Sequence, residues 1–144
     1  MFLVHHVSYD ASYTIDFVDV FDSHMVINTL SGNHIVLTSH HDQDCCEDVA
    51  FDFLEIPAQI IAELKGLSIQ HTVIKALDGD EGGVLVSFET RTEDPIFGGY
   101  TWVKFVIPSH NIQNGYYSPN LELRVSIGDY EAVIHHLRFA DECF

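Results

Sequence analysis

The residues best suited to chemistry crowd into one nonapeptide, His40-His41-Asp42-Gln43-Asp44-Cys45-Cys46-Glu47-Asp48. It has no aliphatic side chain, and its residue types bind metals, move protons or pair with cations. His, Asp and Cys are the ligand types of zinc or of a redox-active metal. In extended geometry His40, Asp42, Asp44 and Cys46 share one face of the chain, while His41, Gln43, Cys45 and Glu47 share the other. Either face offers part of a site, with the remainder supplied from elsewhere, for instance by His110 or His71. The spacing argues against a structural zinc site, because Cys45 and Cys46 are adjacent instead of two to four residues apart. The metal expectation, drawn from His40, His41, Asp42, Asp44 and Cys46, stands beside a simpler one. In that reading one cysteine is buried as a small hydrophobe and its polar neighbours cap a turn. Nucleophilic catalysis by Cys45 or Cys46 is disfavoured, since Asp42, Asp44, Glu47 and Asp48 would repel a thiolate. No phosphate-binding glycine loop, Gly-x-Ser-x-Gly or His-Glu-x-x-His occurs.

Charge is the strongest global signal. The chain has 22 acidic and 6 basic residues, a formal net of −16 with His neutral. No Lys or Arg precedes Lys65, and residues 1–64 hold eight Asp and three Glu, so that this stretch carries −11. Such a surface repels nucleic acid and anionic membrane and steers towards cationic partners; solubility or adaptation to salt is the alternative reading. Six of the ten histidines lie in the same stretch, so mild acid offsets much of its charge. Six scattered basic residues make no phosphate footprint, which excludes ordinary nucleic-acid binding. The converse is open: carboxylates two residues apart on a strand, about 6.6 Å, resemble phosphates of one nucleic-acid strand. Asp42/Asp44 and Asp78/Asp80 are the few such ladders.

The elements that must position these residues are mostly strands. At 144 residues the chain is one domain by length, with a hydrophobic fraction of 47%. No apolar run reaches the roughly 20 residues of a membrane span. The start, Met-Phe-Leu-Val-His-His, lacks a secretory flank, and three cysteines make a poor disulfide framework. The expected location is cytoplasmic. Residues 2–9 read as a first strand. Between Tyr13 and Val20 the apolar positions switch face, which predicts a bulge. Met25–Leu30 and His34–Thr38 flank Ser31-Gly32-Asn33 as a hairpin, and Val49–Ile56 is a strand candidate. Pro57 to Lys65 is the clearest helix, stopped by Gly66. His71–Leu77 and Val84–Glu89 form a second hairpin. Tyr100–Ile107 is an aromatic strand ended by Pro108, with a loop over His110–Ser118. Leu121–Ile127 is the cleanest alternation. The tail shows Tyr130, Val133, Ile134 and Leu137 at helical spacing with Asp129 as N-cap, and a final strand fits nearly as well. The fold class is α+β: an antiparallel sheet of about seven or eight strands with one or two short helices.

Three pieces in order, His41-Asp42-Gln43-Asp44-Cys45-Cys46-Glu47, Tyr100-Thr101-Trp102 and Asn114-Gly115-Tyr116-Tyr117-Ser118, resemble a family of small phage and bacterial proteins classed only as a domain of unknown function. The resemblance covers roughly residues 24–125. Members tend to carry an additional apolar strand between the tryptophan strand and the Tyr-Tyr turn, where this chain has only Val106 to Gln113. The resemblance implies no activity, but it does imply a phage or mobile-element setting.

The leading expectation is a non-enzymatic acidic binding protein that blocks a basic host protein handling nucleic acid. Asp42, Asp44, Glu47 and Asp48 would supply charge, and Trp102, Tyr116 and Tyr117 the aromatic anchors. A metal-binding module or metal-assisted enzyme, with zinc as the candidate ion, is the second. A sponge for a nucleotide-like signal is the third, weakened by the scarcity of cations to hold phosphate. Assembly into a homo-oligomer stays open.

Overall fold

The computed structural model describes residues 2–42, 48–77, 82–92, 99–112 and 119–138. In chain order the strands are β1 (Phe2–Val4), β2 (His6–Tyr9), β3 (Tyr13–Val20), β4 (His24–Thr29), β5 (His34–His40), β6 (Asp48–Phe51), β7 (Ser68–Ala76), β8 (Gly83–Thr92), β9 (Gly99–Ile112), β10 (Asn120–Ile127) and β11 (Tyr130–Leu137). One 3-10 turn, Phe53–Glu55, and one helix, α1 (Ala58–Leu64), separate β6 from β7. The fold is thus mostly antiparallel sheet with little helix. It has eleven strands among the described residues, not seven or eight.

Ten strands follow the path β1-β11-β10-β5-β4-β3-β7-β8-β9-β6, and β2 lies against β7 beside that path. Every pairing is antiparallel except β1 with β11. The N-terminal strands stitch two sheets together. β1 extends the sheet of β11, β10, β5 and β4, and β2 then crosses to β7. β3 does both: Tyr13 and Thr14 pair with β7, whereas Ile15 to Val20 pair with β4. The register shifts between Ile15 and Phe17, where the alternation in the sequence switches face.

Alternation drives the layering. Leu121, Leu123, Val125 and Ile127 of β10 point inward, and Glu122, Arg124 and Ser126 outward. On the other sheet Val84, Val86 and Phe88 of β8 face the same core as Phe105 and Ile107 of β9. Phe53 and Leu64 are fully buried in that cluster, and each such side chain contributes roughly 1.5–3 kcal/mol relative to exposure. α1 begins just after Pro57, which sits at its N-cap, and ends where Gly66 turns at φ +85°.

The count of strands differs from expectation for identifiable reasons. Residues 2–9 form two short strands that serve different sheets. Val49–Ile56 stays extended only to Phe51 before winding into the 3-10 turn. Pro108 does not end β9; it sits where β9 leaves β8 for β6, a position that needs no N–H on the ladder. The tail is β11, not a helix, because Gly128 (φ +57°) and Asp129 make a two-residue turn that folds it back on β10. Ala132, Ile134 and His136 then alternate into the interior. No helix among the described residues is long and apolar enough to cross a membrane.

Candidate functional site: an acidic cleft between the sheets

β5 and β6 approach each other where the sheets meet. Phe51 N donates to Ser39 Oγ at 3.0 Å, tying the edge strand β6 to the end of β5. Beside this junction lies a cleft of about 400 Å³. Its walls come from the β3–β4 turn (Asp22, Ser23), the end of β5 (Ser39, His40, His41), β6 (Asp48 to Phe51) with Asp52, and His110 of β9. No Lys or Arg is among these lining residues. Asp42 follows His41, exposed, with Oδ1 3.5 Å from His40 Nε2.

His110 occupies the centre of the β6 side. Period two places Asp48, Ala50 and Asp52 on the outer face of β6, with Ala50 opposite His110 in the ladder. His110 Nδ1 donates to Asp52 Oδ1 at 2.6 Å, and Nε2 lies 2.8 Å from Asp48 Oδ1. Burial lowers the His110 pKa, but the hydrogen bonds and charges of Asp48 and Asp52 outweigh it and hold the pKa above the ordinary histidine value.

His40 and His41, with Asp42, also wall a second depression of about 520 Å³, which Asn120, Glu122, Arg124 and His135 complete. There His41 Nδ1 donates to the Asn120 carbonyl, His135 Nε2 to Asn120 Oδ1 at 2.9 Å, and Arg124 lies 3.6 Å from Glu122. Mixed charge distinguishes that depression from the acidic cleft.

Of the expected binding residues, Asp48 lines the acidic cleft and Asp42 the second depression, while Asp44, Glu47, Tyr116 and Tyr117 are outside the described residues. Trp102 does not join them. It lies eight residues from His110 along β9, about 26 Å at the rise of an extended strand, on the outer face of β7, β8 and β9. Of the expected metal ligands, His40 and His41 line the cleft, and Asp44 and Cys46 lie outside the described residues. His110, one of the two suggested completing residues, is in the cleft; His71 is beside Trp102 instead, edge-on with ring centroids 5.9 Å apart. Among the described residues no group of three His, Cys, Asp or Glu is arranged to hold a metal ion. Asp22 and Asp52 belong to the cleft and were missed. The Asp48/Asp52 spacing, four residues on one strand face, was the available signal for the second.

Comparison with known protein families, with curated proteins and with solved structures finds no match.

Proposed function

We propose that this chain is a non-enzymatic acidic binding protein whose partner is a basic protein, with the cleft between β5 and β6 as its contact point. One observation carries the reading: Asp22, Asp48 and Asp52 line a single cleft that no Lys or Arg lines. Histidines are the only basic side chains in that lining, so Lys or Arg side chains entering the cleft meet its carboxylates. Net charge of −16 supplies long-range attraction to the same kind of partner. The finer reading is a partner that handles nucleic acid, with the chain occupying its basic groove. That rests on the charge and on the motif resemblance to phage and bacterial proteins. Poly-L-lysine tests the coarse reading. Affinity for the immobilised chain falls steeply between 50 mM and 500 mM NaCl if charge drives the contact, and affinity unchanged over that range counts against it.

A second reading, a metal-binding module, is favoured by one arrangement: His40, His41 and His110 line one cleft, with Asp42 beside His40. Zinc titration followed by calorimetry separates it, since a stoichiometric, EDTA-reversible heat belongs to this reading alone.

A further inference from the structure

Three of the six basic residues of the chain, Lys75, Arg91 and Lys104, fall on one surface, the outer face of β7, β8 and β9. Alternation puts them there: Ile74, Val86, Phe88 and Phe105 of the same strands are buried, so their neighbours along each strand point outward. The same face exposes Tyr100 (61%), Trp102 (42%) and Val106 (41%), three of the ten exposed large hydrophobic side chains among the described residues. Among the described residues, the carboxylates near Trp102 are Glu89, directly opposite it in the ladder, and Asp10 at the β2 edge. A chain of net charge −16 thus has one face on which both signs surround an aromatic centre.

Trp102 is held in place before any partner arrives. Lys104 Nζ lies 6.0 Å from its ring centroid, and the His71 ring meets it edge-on at 87°. His71 is itself fixed by Asp10 at Nδ1 and by Ser8 Oγ at 3.2 Å from Nε2. A braced, exposed indole loses little side-chain freedom when covered, the property of an interface anchor.

We propose that this face binds a second copy of the chain about a two-fold axis. Such an interface meets itself, so the face must be self-complementary. A surface of one sign fails that requirement. Here Glu89 of each copy can meet Lys104 or Arg91 of the other, around paired Trp102 and Tyr100 rings. The acidic clefts, about 26 Å away along β9, remain open at the ends of the pair and make it bivalent for a basic partner.

Sedimentation velocity of the intact chain at 5–200 µM, with no partner added, tests this independently of the acidic-cleft reading. The expected result is a concentration-dependent shift from one chain to two, strengthened in 300 mM NaCl because salt screens the repulsion between chains. W102E and K104E abolish the shift, whereas L54E, at an exposed leucine elsewhere (66%), leaves it intact. Circular dichroism establishes that each variant is folded. A wild-type chain monomeric at 200 µM in both salts overturns the proposal, as does a folded W102E that dimerises normally.

Discussion

His110 of β9 and Asp52, just beyond the edge strand β6, meet at 2.6 Å, while Asp48 at the start of β6 reaches the other nitrogen of the same ring. The His110 ring thereby clamps both ends of a four-residue strand that, among the described residues, has a ladder on only one side.

The clamp makes stability depend on pH in a definite direction. The folded pKa of His110 is raised, so the native chain holds this proton more tightly than the unfolded chain. Its contribution is complete below about pH 6.5 and is lost as the pH rises through the folded value. His40, His41, Asp22, Asp48 and Asp52 share the cleft, so the comparison needs H110Q as reference. The difference in melting temperature between wild type and H110Q is expected to be larger at pH 6 than at pH 8. A difference that is equal at the two values, or larger at pH 8, contradicts the clamp.

Removing one jaw has a modest cost. Asp52→Asn weakens a part-buried charged hydrogen bond but leaves Asp48, which amounts to about 1 kcal/mol or about 3 °C of melting temperature for a chain this size. A scanning calorimetry trace superimposable on wild type would show that the contact contributes nothing.

Gly83 faces Pro108 across the β8–β9 ladder. A Cβ there would land on the Ile107 carbonyl oxygen, with Pro108 Cα at 3.0 Å. Both neighbours are backbone, and β9 hands over from β8 to β6 at this point. Gly83→Ala is therefore expected to lose about 3 kcal/mol in urea unfolding. Gly32→Ala, in the β4–β5 turn with nothing within 4 Å but φ +88°, should lose about 1 kcal/mol. Equal losses at the two sites would refute the steric argument.

Trp102 is the single tryptophan, so intrinsic fluorescence reports on the outer face of β7–β9 alone. His71→Ala removes the ring packed edge-on against it, and the emission maximum is expected to move to longer wavelength with increased iodide quenching. Spectra and quenching identical to wild type would mean that the two rings do not pack in solution.

β10, with unbroken alternation, shows its buried and exposed sides in residue type; β4, β5 and β8 were legible as strands although Val26, Val36 and Leu85 put apolar residues on their outer sides. So was the bulge in β3, where the apolar positions change face. What sequence concealed was pairing over long range. Nothing local says that β1 and β2 serve different sheets, or that β9 changes partner at Pro108. The tail misled because Tyr130, Val133, Ile134 and Leu137 fit a helical stripe, while the decisive signal was the Gly128-Asp129 turn. For the site, Asp48 was visible as charge density. His110 and Asp22 join it only through the approach of β9 and the β3–β4 turn. Grouping Trp102 with the acids failed for the same reason, since a fourteen-residue strand carries them to opposite ends.

The central claim is that a local cleft, and not bulk acidity, recognises the basic partner. Two variants with equal net charge decide it: Asp22, Asp48 and Asp52 all changed to Asn, against Glu63, Asp129 and Glu131 changed to Asn or Gln. Isothermal titration with a short lysine-rich peptide at 100 mM NaCl should show at least a tenfold loss of affinity in the first variant and less than threefold in the second. Equal losses in the two would show that the charge acts without a site.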